Sequence, residues 1–177
     1  MLDSAAPKLG TVPPAVPDRA EAAFRTHSRY VAAIALRLLG RDDEVDDVVQ
    51  EVFMAALGRL DGVNEPEAMR GWLATVTVRT ALKRLRRRRL RALFRLDPAP
   101  EYAGLSGSSN PEQAALVSQV YRILDAIPAQ ERLAFVLRRV QGEPLERVAA
   151  LCGCSLATAK RRIDAAQRSI GRAMSDE

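Results

Sequence analysis

The chain has 177 residues, with 27 Lys and Arg against 22 Asp and Glu, and a net charge of +5 with its one histidine neutral. That length suits one ordinary domain or two small ones, and 47% hydrophobic residues with only 5% aromatics, rich in Ala, Leu, Val and Arg, favours helices over sheets. No run approaches the roughly 18 apolar residues of a membrane span, which excludes direct membrane insertion.

The chain opens on MLDSAAPKLGTVPPAVP, with four prolines in its first seventeen residues. It lacks the basic start and apolar core of a secretion signal, so residues 1–17 read as a flexible tail. From Asp18 to Gly40 the apolar residues Ala23, Val31, Ile34, Ala35, Leu38 and Leu39 recur at helical spacing, and Gly40 ends the run. RDDEVDDVVQEVFMAALGRL is the cleanest helix. Val45, Val48, Val49, Val52, Phe53, Ala56, Leu57 and Leu60 form one stripe, and Asp42, Asp43 and Glu44 suit the positive end of its dipole. After the loop DGVNEPEA, Pro66 belongs in the first turn of a third helix, MRGWLATVTVRTALKRLRRRRL, about seven turns long. Residues 97–110, DPAPEYAGLSGSSN, have linker composition and reach about 45 Å when extended.

The second part is again helical. Pro111 opens a helix through Asp125, Ile127-Pro128 breaks it, and AQERLAFVLRRV gives another with Leu133, Val136, Leu137 and Val140 on one face, stopped by Gly142. LERVAALCGCSLATAKRRIDAAQRSIGRAM gives two more, divided at Gly153. The expected fold is therefore all-α: two small helical domains, 18–96 and 111–174, joined by a flexible linker.

Two features carry function. Residues 82–96, LKRLRRRRLRALFRL, hold eight basic side chains and no acidic one, more than the net charge of the whole chain, so the rest of the protein is net acidic. Basicity that local points to a polyanion. The second is PLERVAALCGCSLATAKRRIDAAQRSI. Leu145, Val148, Ala149 and Leu151 line a short helix, Gly153 sits in the turn, Ser155 is placed to cap the next helix, and Thr158, Lys160, Arg161 and Arg162 occupy its first turns while Ile163, Ala166 and Ile170 face inward. This is the pattern of a helix-turn-helix, whose second helix enters the major groove. A plain helical hairpin with a solvated basic face fits the same spacing. Arg161 and Arg162 suit guanine edges or phosphates equally.

Cys152 and Cys154 stand too close for an ordinary disulfide. With the single His27 far off in sequence, a zinc site is poorly supplied, so they read as two small buried residues around a tight turn. No nucleophile–base pair, phosphate-cradling glycine loop or metal cluster is evident, so neither an enzyme nor a cofactor is expected.

Taken together, these stretches resemble a bacterial RNA polymerase sigma factor of the minimal, extracytoplasmic-function type, over about Asp18 to Met174. DEVDDVVQEVF resembles the family's core-polymerase-binding helix, RGWLATVTVRTALKRLRRRR its promoter-melting and minus-ten-element helix, and IPAQERLAFVLRRVQGEPLERVAALCGCSLATAKRRI its minus-thirty-five-element domain. The resemblance implies that 18–96 is sigma region 2 and 111–174 region 4. It implies that Asp46, Asp47, Gln50 and Glu51 dock on core polymerase. The loop Gly62 to Met69, with Asn64, would capture an unstacked promoter base, with Trp72 as scaffold beneath. Arg79, Lys83, Arg84, Arg86, Arg87 and Arg88 would hold the minus-ten region, with Arg89, Arg91 and Arg95 continuing the track. Ser155, Thr158, Lys160, Arg161 and Arg162 would meet the minus-thirty-five region. It further implies core RNA polymerase, promoter DNA and an anti-sigma factor as partners, and a cytoplasmic location.

The sequence departs from the family pattern in places. Arg79 stands where Asn is usual, Thr77-Val78 replaces an Ala-Arg pair, Lys83 a common Asp, Asp164-Ala165 a common His-Arg pair, and Arg161 a frequent Ser. A stand-alone helix-turn-helix regulator, or a diverged member that mainly binds a regulatory protein, are the other readings. An acidic helix followed by a basic one suits an adaptor between polymerase and DNA better.

Overall fold

The computed structural model describes residues 16–57, 66–94 and 111–175, and every element among them is helical. In chain order these are α1 (Val16–Leu39), α2 (Val45–Leu57), α3 (Pro66–Leu93), α4 (Pro111–Ala126), α5 (Ala129–Phe135) continuing into a π-helical segment (Val136–Val140), α6 (Leu145–Cys152) and α7 (Leu156–Ser175). Residues 1–15 of the expected tail, most of the loop before α3, with Asn64 and Leu60, Arg95 and the linker 97–110 lie outside the described residues, whereas Val16 and Pro17, expected in the tail, form the first turn of α1.

α1, α2 and α3 pack as one three-helix unit. Val31, Leu38, Leu39, Val48, Val52, Leu73 and Val78 are among its most deeply buried side chains. α1 stops at Gly40, whose φ of +72° is open to glycine and strained for other residues. Thr77 and Val78, two of the departures from the family pattern, both face this core. The Thr77 hydroxyl is satisfied inside its own helix by donating to the Leu73 carbonyl at 2.7 Å. Neither residue is placed to read DNA.

α4 to α7 form the second unit, around Leu124, Leu133, Val136, Leu137, Val148, Ala159 and Ala166. Val140, expected on the core face, is exposed. The reason is local: the Gln141 amide donates to the Val136 carbonyl, five residues back, so the last turn widens and rotates Val140 outward. The two cysteines are half-buried rather than buried.

Nothing in the pattern of residues signals that the two units share a boundary. α5 and α6 pack against α3, and the π-helical segment meets α1, so the buried apolar residues of both form one continuous core. Arg132 of α5 lies at that boundary and is only 1% exposed.

Candidate nucleic-acid interface

The helical period of α3 divides its basic run into two sets. Arg84 and Arg88, four residues apart, turn toward α2 and the end of α1. Arg84 pairs with Glu44 at 3.4 Å, Asp47 at 3.6 Å and Glu51 at 3.3 Å. Arg88 Nε donates to Glu44 Oε1 at 2.6 Å, and its Nη1 to the Leu39 carbonyl at 3.0 Å. Lys83 joins from the edge, with Nζ 3.4 Å from Glu51. Arg86, Arg87 and Arg89 point outward and are exposed, as is Arg79 one face earlier. The run is therefore partly internal glue and partly open charge, a division that the count of basic residues conceals.

The acidic helix is divided in the same way. Asp47 and Glu51 serve the α3 arginines, whereas Asp46 and Gln50 are exposed and make no such pair among the described residues. Beside them lies an apolar patch that helical periodicity alone assigns to the core or leaves unmarked. Met54 is 63% exposed, Leu57 40% and Phe24 46%, with Phe24 resting edge-on against Phe53 at 5.0 Å. Leu57 falls at the margin of the α2 stripe, the one hint that its face is shared between core and surface. Trp72 is half-buried and packs against the buried core. Nearby, the Arg70 guanidinium stacks 4.3 Å over the Tyr30 ring.

In the second unit, α6 ends at Gly153 in the left-handed conformation, φ +60°. The Cys154 amide returns to the Ala149 carbonyl at 3.0 Å, closing the turn between the paired helices. Ser155 then caps α7: its Oγ accepts from the Thr158 amide at 3.2 Å and donates to Thr158 Oγ1 at 3.0 Å. Ala159, Ile163 and Ala166 anchor α7 to the core, leaving Lys160 and Arg161 exposed. Arg162 is half-buried and donates to Gln130 Oε1 at 2.6 Å, which fixes its side chain against α5. Burial pushes the Cys152 thiol up to about 11, and the neighbouring Cys154 adds to the shift.

The two basic surfaces meet. Arg86, Arg89 and Leu90 of α3 line one side of a cleft of about 810 Å3, and Arg161, Arg162 and Arg168 of α7 line the other. Five guanidinium groups face one carboxylate, that of Glu131, a composition suited to phosphates. Among the described residues no group of three or more His, Cys, Asp or Glu is poised to hold a metal ion, and no helix is long and apolar enough to cross a membrane.

An acid-faced helix beside a basic one, followed by a capped helix-turn-helix, defines a two-domain helical adaptor that binds DNA. Comparison with known proteins makes this specific. Residues 23–91 match sigma-70 region 2, and residues 118–168 match sigma-70 region 4. The ECF RNA polymerase sigma factor EcfG of Rhodopseudomonas palustris (strain TIE-1) is 32% identical over 139 residues, covering 78% of this chain and 75% of that protein. The ECF RNA polymerase sigma-E factor of Escherichia coli (strain K12) is 30% identical over 159 residues, covering 81% and 80%. Among solved structures, the sigma factor RpoE of Bartonella quintana, in complex with the anti-sigma factor NepR, superposes with a TM-score of 0.63 at 21% identity, over 88% of this chain and 96% of that one, a likeness of fold. The chain belongs to the ECF RNA polymerase sigma factors. It is a non-catalytic subunit that serves promoter recognition by RNA polymerase and the initiation of transcription.

Proposed function

We propose a division of labour within this sigma factor. The unit 18–96 acts as region 2 and docks on core polymerase through the outward side of α2. Asp46 and Gln50 make the direct contacts, and Met54 and Leu57 supply an apolar anchor beside them. Asp47 and Glu51 belong to the same face but also hold Arg84 and Lys83 in place. The minus-ten region is held by Arg79, Arg86 and Arg87, with Arg89 continuing the track. Lys83, Arg84 and Arg88 keep the helix seated against α2, and Trp72 supports the surface from below. Asn64 is the candidate for the captured base. The unit 111–174 acts as region 4, with Ser155 and Thr158 setting the end of the recognition helix and Lys160, Arg161 and Arg162 meeting the minus-thirty-five region.

The observation that carries this reading is the sorting of α3 into inward and outward cations. Outward guanidinium groups are open to phosphates, and two of them, Arg86 and Arg89, line a cleft with Arg161 and Arg162 of the recognition helix. A cytoplasmic site of action, where polymerase and chromosome are, and control by an anti-sigma factor follow from membership of the family.

Binding of the purified chain to core polymerase, without DNA, tests the docking face. Asp46→Ala combined with Gln50→Ala and Met54→Ser is expected to weaken binding at least tenfold while the circular dichroism spectrum stays that of the wild type. These three positions avoid the Arg84 network, so a loss cannot be blamed on a disturbed α3. Undiminished affinity would reject the face.

A further inference from the structure

We propose that the cleft between α3 and α7 is a binding site for a chain of linked phosphates, free or as the tail of a nucleotide. The site does not depend on which of its arginines also meets DNA.

Its charge is one-sided. Arg86 and Arg89 stand on one wall and Arg161, Arg162 and Arg168 on the other, with Glu131 the one carboxylate among the lining residues. Arg86, Arg89, Arg161 and Arg168 are exposed and make no ion pair among the described residues. The inward face of α3 is the opposite case, where Glu44, Asp47 and Glu51 answer the cations. Like charges set on facing walls repel one another, and an anion that enters between them removes that cost.

The arrangement asks for more than one phosphate. Arg161 and Arg168 share a face of α7 with Ala165 between them, about 10 Å apart along the helix axis. A single orthophosphate cannot reach both. Arg86 and Arg89 supply a second pair from α3, about 4.5 Å apart along its axis. Arg162 donates to Gln130 Oε1 at 2.6 Å, so its guanidinium is set in the wall before a ligand arrives. A chain of three or more phosphates presents oxygens on both sides and meets both walls at once, and the guanidinium fork matches such oxygens in pairs.

The size agrees. At about 810 Å3 the cleft falls in the range of small-molecule sites, roughly 300–1,000 Å3. A space of that size admits a small ligand and not a DNA duplex. Leu90, 58% exposed, and Pro128 add apolar surface beside the arginines, which fits the base of a nucleotide.

Isothermal titration of the full chain with sodium tripolyphosphate, without DNA or polymerase and at fixed ionic strength, tests the site. One molecule is expected to bind per chain, at least about tenfold more tightly than orthophosphate. Arg89→Gln and Arg168→Gln, one from each wall, should each lower the affinity about tenfold, the loss of one charge-assisted contact. Glu131→Gln should raise it. Arg172→Gln, also exposed on α7 but outside the cleft, removes the same charge and should leave the affinity within about twofold. These arginines are exposed, so circular dichroism should show an unchanged fold. Several weak sites per chain, a loss from one wall only, or an Arg172→Gln loss equal to that of Arg89→Gln would overturn the site and leave diffuse attraction to a basic surface. Adenosine triphosphate separates the two sources of the ligand. Tighter binding than tripolyphosphate, with the surplus removed by Leu90→Ser, supports a nucleotide, and equal or weaker binding supports the inorganic chain.

Discussion

Arg132 is the charged side chain that the fold buries most completely among the described residues, and its surroundings explain how. Burial pulls its guanidinium below the usual value, and the Asp125 carboxylate works against that shift. Asp125→Ala would leave the guanidinium buried with only the Leu38 and Leu39 carbonyls of α1 as acceptors. We expect a loss of about 3 kcal/mol from the urea unfolding free energy, the size usual for breaking a buried pair. A loss under about 1 kcal/mol would show that the α1 carbonyls alone satisfy Arg132. Cys152 gives a second expectation at this scale. A thiol near pH 11 is thiolate to only about one part in ten thousand at pH 7. Its alkylation by iodoacetamide, followed by mass spectrometry, should be negligible at neutral pH and rise toward pH 11. Because the folded state favours the protonated thiol, its contribution to stability is complete below the unfolded value near 8.5 and is lost as pH rises through 11. Rapid labelling of Cys152 at pH 7 in the folded chain would contradict the raised position of its thiol.

At the scale of the element, α3 makes the sharpest distinction. Its basic run has two jobs, so neutralising different members should produce different failures. Arg86, Arg87 and Arg89 changed together to Gln should flatten the dependence of DNA binding on salt, by about 0.7 to 0.9 in log–log slope for each phosphate no longer neutralised. Arg84 and Arg88 changed to Gln should instead lower thermal stability, since Glu44 loses two guanidinium partners. An unchanged slope in the first variant would show that the outward arginines do not touch DNA. The same helix shows what a sequence discloses. Helix positions, the Gly40 and Gly153 stops and the Ser155 cap are legible, because each follows from local periodicity and backbone chemistry. The inward turn of Arg84 and Arg88 is not, because it depends on where Glu44 and Glu51 of another helix arrive. Val140 escapes for a smaller reason: one five-residue hydrogen bond re-aims the end of a helix, and no pattern of apolar residues encodes it. Leu57 sits at the margin of a stripe whose width only the packed neighbours decide, and Met54 falls outside that stripe altogether.

For the molecule as a whole, the decisive fact is that the two units share a core. Composition correctly marks them as two domains, yet it could not show that Arg132 would seek carbonyls 93 and 94 residues earlier in the chain. Sharing a boundary has a thermodynamic consequence. If the second unit completes the end of α1, neither unit should unfold without weakening the other, and the free chain should melt as one cooperative body. The single tryptophan makes this measurable. Trp72 belongs to α3 of the first unit and reports on its own surroundings, whereas far-ultraviolet circular dichroism sums the helices of both units. In urea the two signals should trace one curve with one midpoint. Tyr121→Phe, which removes the hydroxyl that donates to the Arg37 carbonyl of α1 at 2.7 Å, and Gly40→Ala, whose Cβ would collide with the Tyr121 ring, should pull them apart, because each loosens the boundary without touching the interior of the second unit. A fluorescence midpoint distinct from that of circular dichroism in the unmutated chain would mean that the units are already independent, and that the buried contact contributes too little to bind them into one cooperative structure.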